Sequence, residues 1–139
     1  IQDPLRQKPV ICRESQSLRL PLRYSQKKLY DCLRQWAEKC LSPYTIEAAN
    51  KLGHSLERVK FRDMQSRWGS CSSRKTISLN WRLILIPREV AEYVCIHEAS
   101  HLVHMNHSFA FWKVVEHLCP SYKTHKKWLK AHGYGFMAV

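Results

Sequence analysis

The sequence predicts a small α+β domain in which helices flank a short sheet. Helix-like segments come first, two segments with strand-like alternation follow, and three further helix-like segments end the chain. Strands grouped between runs of helices are typical of α+β folds rather than of regularly alternating α/β folds. The chain has 139 residues, of which 45% are hydrophobic, so it is long enough to form one domain with its own core.

The first 24 residues are predicted to form an extended arm that precedes a single domain over residues 25–139. Three prolines lie in this segment, and their density opposes a helix. Basic side chains are scattered among them. We therefore expect the arm to be partly mobile and the folded domain to begin with the first helix.

Apolar residues at helical spacing predict a first helix over residues 26–41, with Ser25 as its N-cap. Ser42–Pro43 is expected to break that helix, because proline lacks the amide hydrogen that an interior position needs. A second helix then begins at Pro43 and stops at Gly53, a residue type that commonly follows a helix.

Two segments alternate apolar and polar residues as half-buried strands do, over residues 56–64 and 76–81. The stretch between them contains four serines and a glycine and is predicted to be a loop. Trp68 and Gly69 are expected to fix the conformation of this loop rather than to touch substrate. The second segment is either an ordinary sheet strand or an edge to which a substrate peptide adds as a further strand.

Three helices are predicted to complete the domain. The first runs from Pro87 to about His104 and is apolar nearly all round, so we expect it to be central and buried. Ser108 is the candidate N-cap of the next helix, which a proline ends. The last helix covers about residues 121–132, with Gly133 as its cap.

Composition and cysteine spacing exclude several classes of protein. No apolar run is long enough to span a bilayer, and no segment has the pattern of a signal peptide, so we expect a cytoplasmic protein without a membrane partner. None of the six cysteines forms a Cys-x-x-Cys pair, which argues against a zinc ribbon or a thioredoxin-type site. We expect most of these cysteines to be reduced, with Cys95 and Cys119 as small core residues.

The strongest chemical signal is an H-E-x-x-H motif formed by His97, Glu98 and His101 within a predicted helix. Residues four apart lie on the same helical face, so both imidazoles can reach one ion. Neutral histidine nitrogen is a common ligand of Zn²⁺. Glu98 lies beside the first ligand and is placed to take a proton from the water that the metal activates. The motif therefore predicts a site for one zinc ion.

A catalytic zinc site needs a third protein ligand and leaves the fourth position for water. His107 follows His101 by six residues and is the favoured candidate. Glu116, on the next predicted helix, is the alternative. Asn106 is expected to supply the turn towards His107, because asparagine tolerates left-handed backbone.

Several stretches of the chain resemble one known family, the YgjP-like metallopeptidases, a zincin branch that is similar to SprT-like proteases. The resemblance rests on ordered motifs over about residues 56–133. The stretches that carry it are Arg67-Trp-Gly-Ser-Cys71, Ile77-Ser-Leu-Asn-Trp-Arg-Leu83, Tyr93-Val-Cys-Ile-His-Glu-Ala-Ser-His-Leu102, Asn106-His-Ser-Phe-Ala-Phe-Trp112, Ser121-Tyr122 and Trp128-Leu-Lys130.

The resemblance implies a zincin-like fold, in which a short mixed sheet packs on the active-site helix. It also implies His97, His101 and His107 as zinc ligands and Glu98 as the catalytic acid and base. The chain departs from the family pattern at Ala99 and Ser100, where Leu or Ala is usual, and in a missing or shortened β-rich N-terminal region.

The mechanism expected from this resemblance is hydrolysis of a peptide or protein substrate. The zinc ion polarises the scissile carbonyl, and Glu98 carries the proton from water to the leaving amine. A further group is expected to stabilise the oxyanion. The candidates by position are Arg67, Arg82, His104 and Tyr122.

The basic composition suggests nucleic acid as a secondary partner. The chain has 23 Lys and Arg against 11 Asp and Glu, a formal net charge of +12. Lysines also cluster on the last predicted helix, a pattern that either contacts phosphates or simply faces solvent. The alternatives to a zinc peptidase are therefore a SprT-like protease associated with DNA and a metal-dependent hydrolase of a non-peptide substrate such as a nucleotide. These lysines are Lys123, Lys126, Lys127 and Lys130.

Overall fold

The structure is a computed structural model that describes the backbone of residues 10–12 and 17–19 and all atoms of residues 26–137. Strands β1 (Val10–Cys12) and β2 (Ser17–Arg19) pair antiparallel within the predicted arm. The rest of that arm and the Ser25 N-cap lie outside the described residues. The division of the chain into an arm and one domain therefore stays a prediction.

One helix, α1 (Gln26–Lys51), occupies the region where two helices were predicted, so the expected break at Ser42–Pro43 is wrong. An interior proline weakens the hydrogen bonding of the helical turn before it. In that turn the carbonyl of Cys40 accepts a hydrogen bond of 3.1 Å from the Arg88 guanidinium of a neighbouring helix. Tertiary contact thus supports α1 at the point where local sequence disfavours it.

A small mixed sheet follows, which together with the helices confirms the predicted α+β class. Its strands are β3 (Lys60–Arg62), β4 (Gly69–Cys71) and β5 (Ile77–Asn80), in the order β3-β5-β4. β3 is parallel to β5, and β4 is antiparallel to it. The predicted loop over residues 65–75 was thus wrong in part, because it contains β4.

β5 is the central strand of this sheet. Hydrogen-bonded strands flank it on both sides, and all four of its residues are buried. Of the two alternatives for this segment, the ordinary sheet strand is confirmed, and the addition of a substrate strand is wrong because β5 has no free edge. Among the described residues, the strand that lies at the sheet edge beside the predicted metal-binding helix is β4.

A buried asparagine at the end of β5 holds the segment that leads into β4. The Asn80 amide nitrogen donates to the carbonyls of Met64 at 2.9 Å and Arg67 at 3.0 Å. Its side-chain oxygen caps a 3₁₀ helix (Trp81–Leu85) by accepting from the amide of Arg82 at 3.1 Å. One side chain therefore joins the loop, the sheet and the 3₁₀ helix.

Replacing Asn80 with Ala is expected to lower the free energy of unfolding by about 3 kcal/mol, because buried backbone groups lose their partners. Urea denaturation measures this loss. Asn50→Ala, on the exposed side of α1, is the matched control and is expected to stay close to the wild type. A loss at Asn80 no larger than at Asn50 would contradict the proposed role of this side chain.

Helix α2 (Arg88–Ser100) is nearly fully buried, as predicted, and packs against α1, α3 and α4. It ends four residues before the predicted end at His104, in a turn over residues 101–103. Ser100 is buried, and its hydroxyl donates to the carbonyl of Ile96 at 2.7 Å, so the helix satisfies this polar group internally. α2 is therefore the central element of the core.

Helices α3 (Phe109–Leu118) and α4 (Tyr122–Met137) complete the fold. Ser108 caps α3, as predicted, by accepting from the amide of Phe111. The expected end of the last helix at Gly133 is wrong, since α4 continues through it. Gly133 is buried, and a Cβ there would lie 3.2 Å from Nε1 of Trp68, so the glycine allows close packing. No described helix is both long and apolar enough for a membrane span.

Candidate metal centre

Three histidines converge at the C-terminal end of α2. His97 lies in the last turn of α2 and His101 is the C-cap residue of this helix, with the two ring centroids 5.1 Å apart. The following loop returns His107 to them, so that its Nε2 lies 3.2 Å from Nε2 of His97. One nitrogen from each of the three rings falls within 4.8 Å of the others. The structure thus brings together the three residues that were predicted to be metal ligands.

This donor set fits a divalent metal ion such as zinc. Two histidine nitrogens bound to the same tetrahedral zinc ion lie about 3.4 Å apart, close to the separation between His97 and His107. Nδ1 of His101 lies 3.1 Å from the carbonyl oxygen of His104. Because a carbonyl can only accept, Nδ1 carries the proton and Nε2 is left free as a ligand.

Aromatic packing fixes the positions of the three imidazoles. The ring of Phe111, which is fully buried, lies 4.4 to 5.1 Å from all three histidine rings and stacks on His101. Ser108 anchors the first turn of α3, which carries Phe111. The start of α3 therefore forms the apolar floor of the site.

The environment keeps two of these histidines neutral. Burial lowers the pKa of His97 to about 3, and the neighbouring rings and Lys126 add to this effect. Burial also lowers the pKa of His101, against a hydrogen bond to the His104 carbonyl that raises it. A metal ion binds the neutral imidazole, so both groups are in the ligating form at pH 7.

Glu98 lies beside the histidines and is 6% exposed. Burial raises the pKa of this carboxyl to about 7, and the positive charge of Arg67 partly opposes the shift. A carboxyl with a pKa near neutrality can both accept and release a proton at physiological pH. This property suits an acid and base in hydrolysis.

These side chains line an open cavity of about 280 Å³. The edge strand β4 and the segment before it form one wall, and α2 with the loop after it forms the other. The cavity therefore lies between β4 and the three imidazoles. The lining residues are Arg67, Gly69, Ser70, Cys71, His97, Glu98, His101, Met105 and His107.

Neither Glu116, the alternative third ligand, nor Arg82, one of the oxyanion candidates, lines this cavity. Glu116 is exposed on α3 and pairs with Lys113 at 3.6 Å. Among the described residues it belongs to no metal-binding group. Arg82 is buried and bonded to Asp63 at 2.6 Å, so its guanidinium serves the fold.

The other oxyanion candidates lie at different distances from the histidines. Arg67 lines the cavity. His104 contributes its backbone carbonyl to His101, and Tyr122 stacks on Trp112, one ring away from the cluster.

Among the non-glycine residues that the structure describes, only Lys75 has a positive φ, so the expectation of a left-handed Asn106 is wrong.

Several residues of the site were not predicted to have a functional role. Gly69 was assigned to the loop conformation, yet a Cβ there would lie 2.9 Å from Cγ of Glu98. Phe111 and Trp112 read as ordinary apolar positions of an amphipathic helix, yet both rings contact the histidines. The signal that points to them is that they lie, like Gly69, in the stretches that carry the family resemblance.

A model of one protein family, described as YgjP-like, metallopeptidase domain, matches residues 6–132 of the chain. The match spans the sheet, the three histidines, Glu98 and most of α4. No curated protein and no solved structure matches the chain.

Proposed function

Because the chain belongs to the YgjP-like metallopeptidase family, we propose that it is a zinc-dependent peptidase with Glu98 as its general base. The observation that carries this proposal is the convergence of three histidine nitrogens within 4.8 Å beside a buried carboxyl. His97, His101 and His107 are the proposed ligands of one zinc ion. Three ligands leave a coordination position open, which a purely structural site does not need.

The protein side chains divide the chemistry between them. Bound zinc would supply Lewis-acid activation of water and of the scissile carbonyl. Glu98 accepts the proton of the attacking water and then delivers it to the nitrogen of the leaving amine. Its burial supports this role, because a raised pKa makes the carboxylate a better base.

The substrate peptide is proposed to lie along β4. This strand lines the cavity, and its outer edge has no partner strand among the described residues. A peptide added there as a further strand gains main-chain hydrogen bonds that do not depend on its sequence. Arg67, at the start of the same wall, is the proposed oxyanion stabiliser, since Arg82 is held by Asp63.

The experiment that tests this function combines metal analysis with digestion of a peptide library. We expect one zinc ion per chain, cleavage by the loaded protein, loss of cleavage after chelation and recovery when zinc is added back. A panel of nucleotides incubated in parallel tests hydrolysis of a non-peptide substrate. Zinc-dependent turnover of nucleotides without peptide cleavage would replace the proposed function.

Replacing Gly69 with Ala is expected to lower kcat/KM for peptide cleavage by about 10- to 100-fold while zinc binding is retained. The added Cβ would lie 2.9 Å from Cγ of Glu98, so the side chain of the general base must move. Gly135→Ala on α4 is the control, because a Cβ there meets nothing within 4 Å. Equal activity of the two variants would show that the position of Glu98 is not limiting.

The proposed compartment is the cytoplasm. Two cysteines of the described part of the chain, Cys95 in the core and the half-buried Cys119, are free thiols. Burial raises the pKa of both thiols, which lowers the reactive thiolate fraction. Free thiols agree with a reducing compartment.

A further inference from the structure

One exposed lysine of the basic helix α4 lies beside an aromatic ring that contacts the metal centre. Nζ of Lys126 lies over the ring of Trp112, 4.3 Å from its centroid. The same indole lies 6.0 Å from the ring of His107 and 5.6 Å from that of His97. Lys126 is therefore one aromatic ring away from two of the proposed ligands.

Packing on the indole restricts where this ammonium group can go. Tyr122, one turn earlier on α4, stacks on Trp112 with the rings 5.3 Å apart. A cation over an aromatic face gains electrostatic attraction that holds it there.

Among the described residues, no carboxylate forms an ion pair with Lys126. On the adjoining helix α3, the carboxylate of Glu116 forms an ion pair with Lys113. Arg67 lines the cavity and likewise has no ion pair within residues 26–137. Arg67 in the cavity wall and Lys126 beside Trp112 are thus two cations close to the histidines that form no ion pair among the described residues.

We infer that Lys126 is a specificity-determining residue that binds a carboxylate of the substrate next to the scissile bond. The inference rests on the proposed peptidase function and names its substrate class as acidic peptides. A single ammonium group held by one indole suits one carboxylate. Nucleic acid would instead recruit the whole basic face of α4, and its phosphates would not depend on the one lysine at the site.

The test uses two labelled heptapeptides that differ only in carrying Asp or Asn at the three central positions. Binding to the zinc-loaded Glu98→Gln protein is measured by fluorescence anisotropy, and cleavage is measured with the active enzyme. Lys126→Met is compared with Lys127→Met, which removes the same charge from the same helix but lines a different groove, beside Trp128. Lys126→Arg serves as the conservative variant.

We expect the Asp peptide to bind about threefold more tightly than the Asn peptide, as one partly exposed ion pair allows. The ratio of the two dissociation constants should fall to about one in Lys126→Met and persist in Lys127→Met and Lys126→Arg. It should also decrease as the salt concentration is raised. An equal loss in Lys126→Met and Lys127→Met, with displacement of both peptides by a single-stranded oligonucleotide, would overturn the inference in favour of a nucleic-acid surface.

Binding and cleavage separate this inference from the function on which it rests. Cleavage of both peptides with no Lys126-dependent preference would overturn the inference and leave the peptidase intact. A Lys126-dependent preference in binding without cleavage by the active enzyme would remove the peptidase function and leave the carboxylate site. Failure of both peptides to bind would overturn the inference.

Discussion

Replacing Glu98 with Gln is expected to lower peptide hydrolysis by about 1,000-fold or more while the protein still binds one zinc ion. Gln keeps the shape of the side chain but cannot accept the proton of the attacking water. The three histidines and their support from Phe111 are unchanged by this substitution. Single-turnover cleavage together with zinc analysis of the same sample checks both halves of the result.

The same substitution is expected to stabilise the metal-free protein at alkaline pH. Burial raises the pKa of Glu98 from 4.5 to about 7, so between these values the folded state binds more protons than the unfolded state. Stability is therefore lost as pH rises through this window. At pH 8 we therefore expect Glu98→Gln to have a free energy of unfolding higher than that of the wild type, by an amount on the order of 3 kcal/mol. At pH 4, below both pKa values, we expect no such difference.

Urea denaturation of the metal-free proteins at pH 4 and pH 8 measures this difference. Glu116→Gln, on the exposed side of α3, is the matched control and should not change stability with pH. Retained peptidase activity in Glu98→Gln would remove Glu98 as the general base. A variant that is inactive but gains no stability at pH 8 would show that burial does not raise the pKa of this carboxyl in the folded protein.

Replacing His107 with Ala is expected to weaken zinc binding by more than about 100-fold, beyond the effect of losing an outer hydrogen-bond partner. His107 supplies one of three converging nitrogens, and the loop that carries it contributes no other donor to the group. Peptide cleavage should be lost with the metal. Competition with a fluorescent chelator measures the affinity.

Glu116→Ala is the control that decides between the two ligands considered from sequence. Glu116 forms only an exposed ion pair with Lys113, so its loss should change zinc affinity by less than about threefold. A larger loss of zinc affinity at Glu116 than at His107 would reverse the ligand assignment.

The features that the sequence predicted best are those set by local periodicity. α2 was found because its residues are apolar on nearly every side, and it is the most buried helix. The Ser108 cap was found because a serine hydroxyl binds the amides of a first turn. Both depend on residues within a few positions of each other.

The errors arose where distant contacts override local preference. β4 consists of Gly, Ser and Cys, which carry a weak strand signal, and it forms because Ser70 pairs with Ser78 of β5. α1 continues through Pro43 with help from Arg88. Gly133 lies inside α4 because Trp68 packs against it. None of these partners can be identified from spacing along the chain.

The same contrast between local spacing and distant contacts holds for the residues of the site. The prediction of His97 and His101 required only helical geometry, and His107 was favoured by its spacing after His101 and then also implied by the family resemblance. The wall formed by β4 and the approach of Lys126 through Trp112 both depend on how separate elements meet. Sequence therefore predicted the proposed ligands and base, but not the surroundings that act on substrate.

The hydrogen bond from His101 to the carbonyl of His104 has a consequence for the length of this loop. The turn that ends α2 places the carbonyl of His104 against Nδ1 of His101, which leaves Nε2 as the proposed ligand atom. Three residues after His104, the chain brings His107 to the same cluster of rings. One residue more or fewer between His101 and His107 would disturb both. The turn over residues 72–76, closed by the hydroxyl of Ser72, has no such dual role. We therefore expect insertions and deletions to be tolerated between β4 and β5 but not between the proposed ligands His101 and His107.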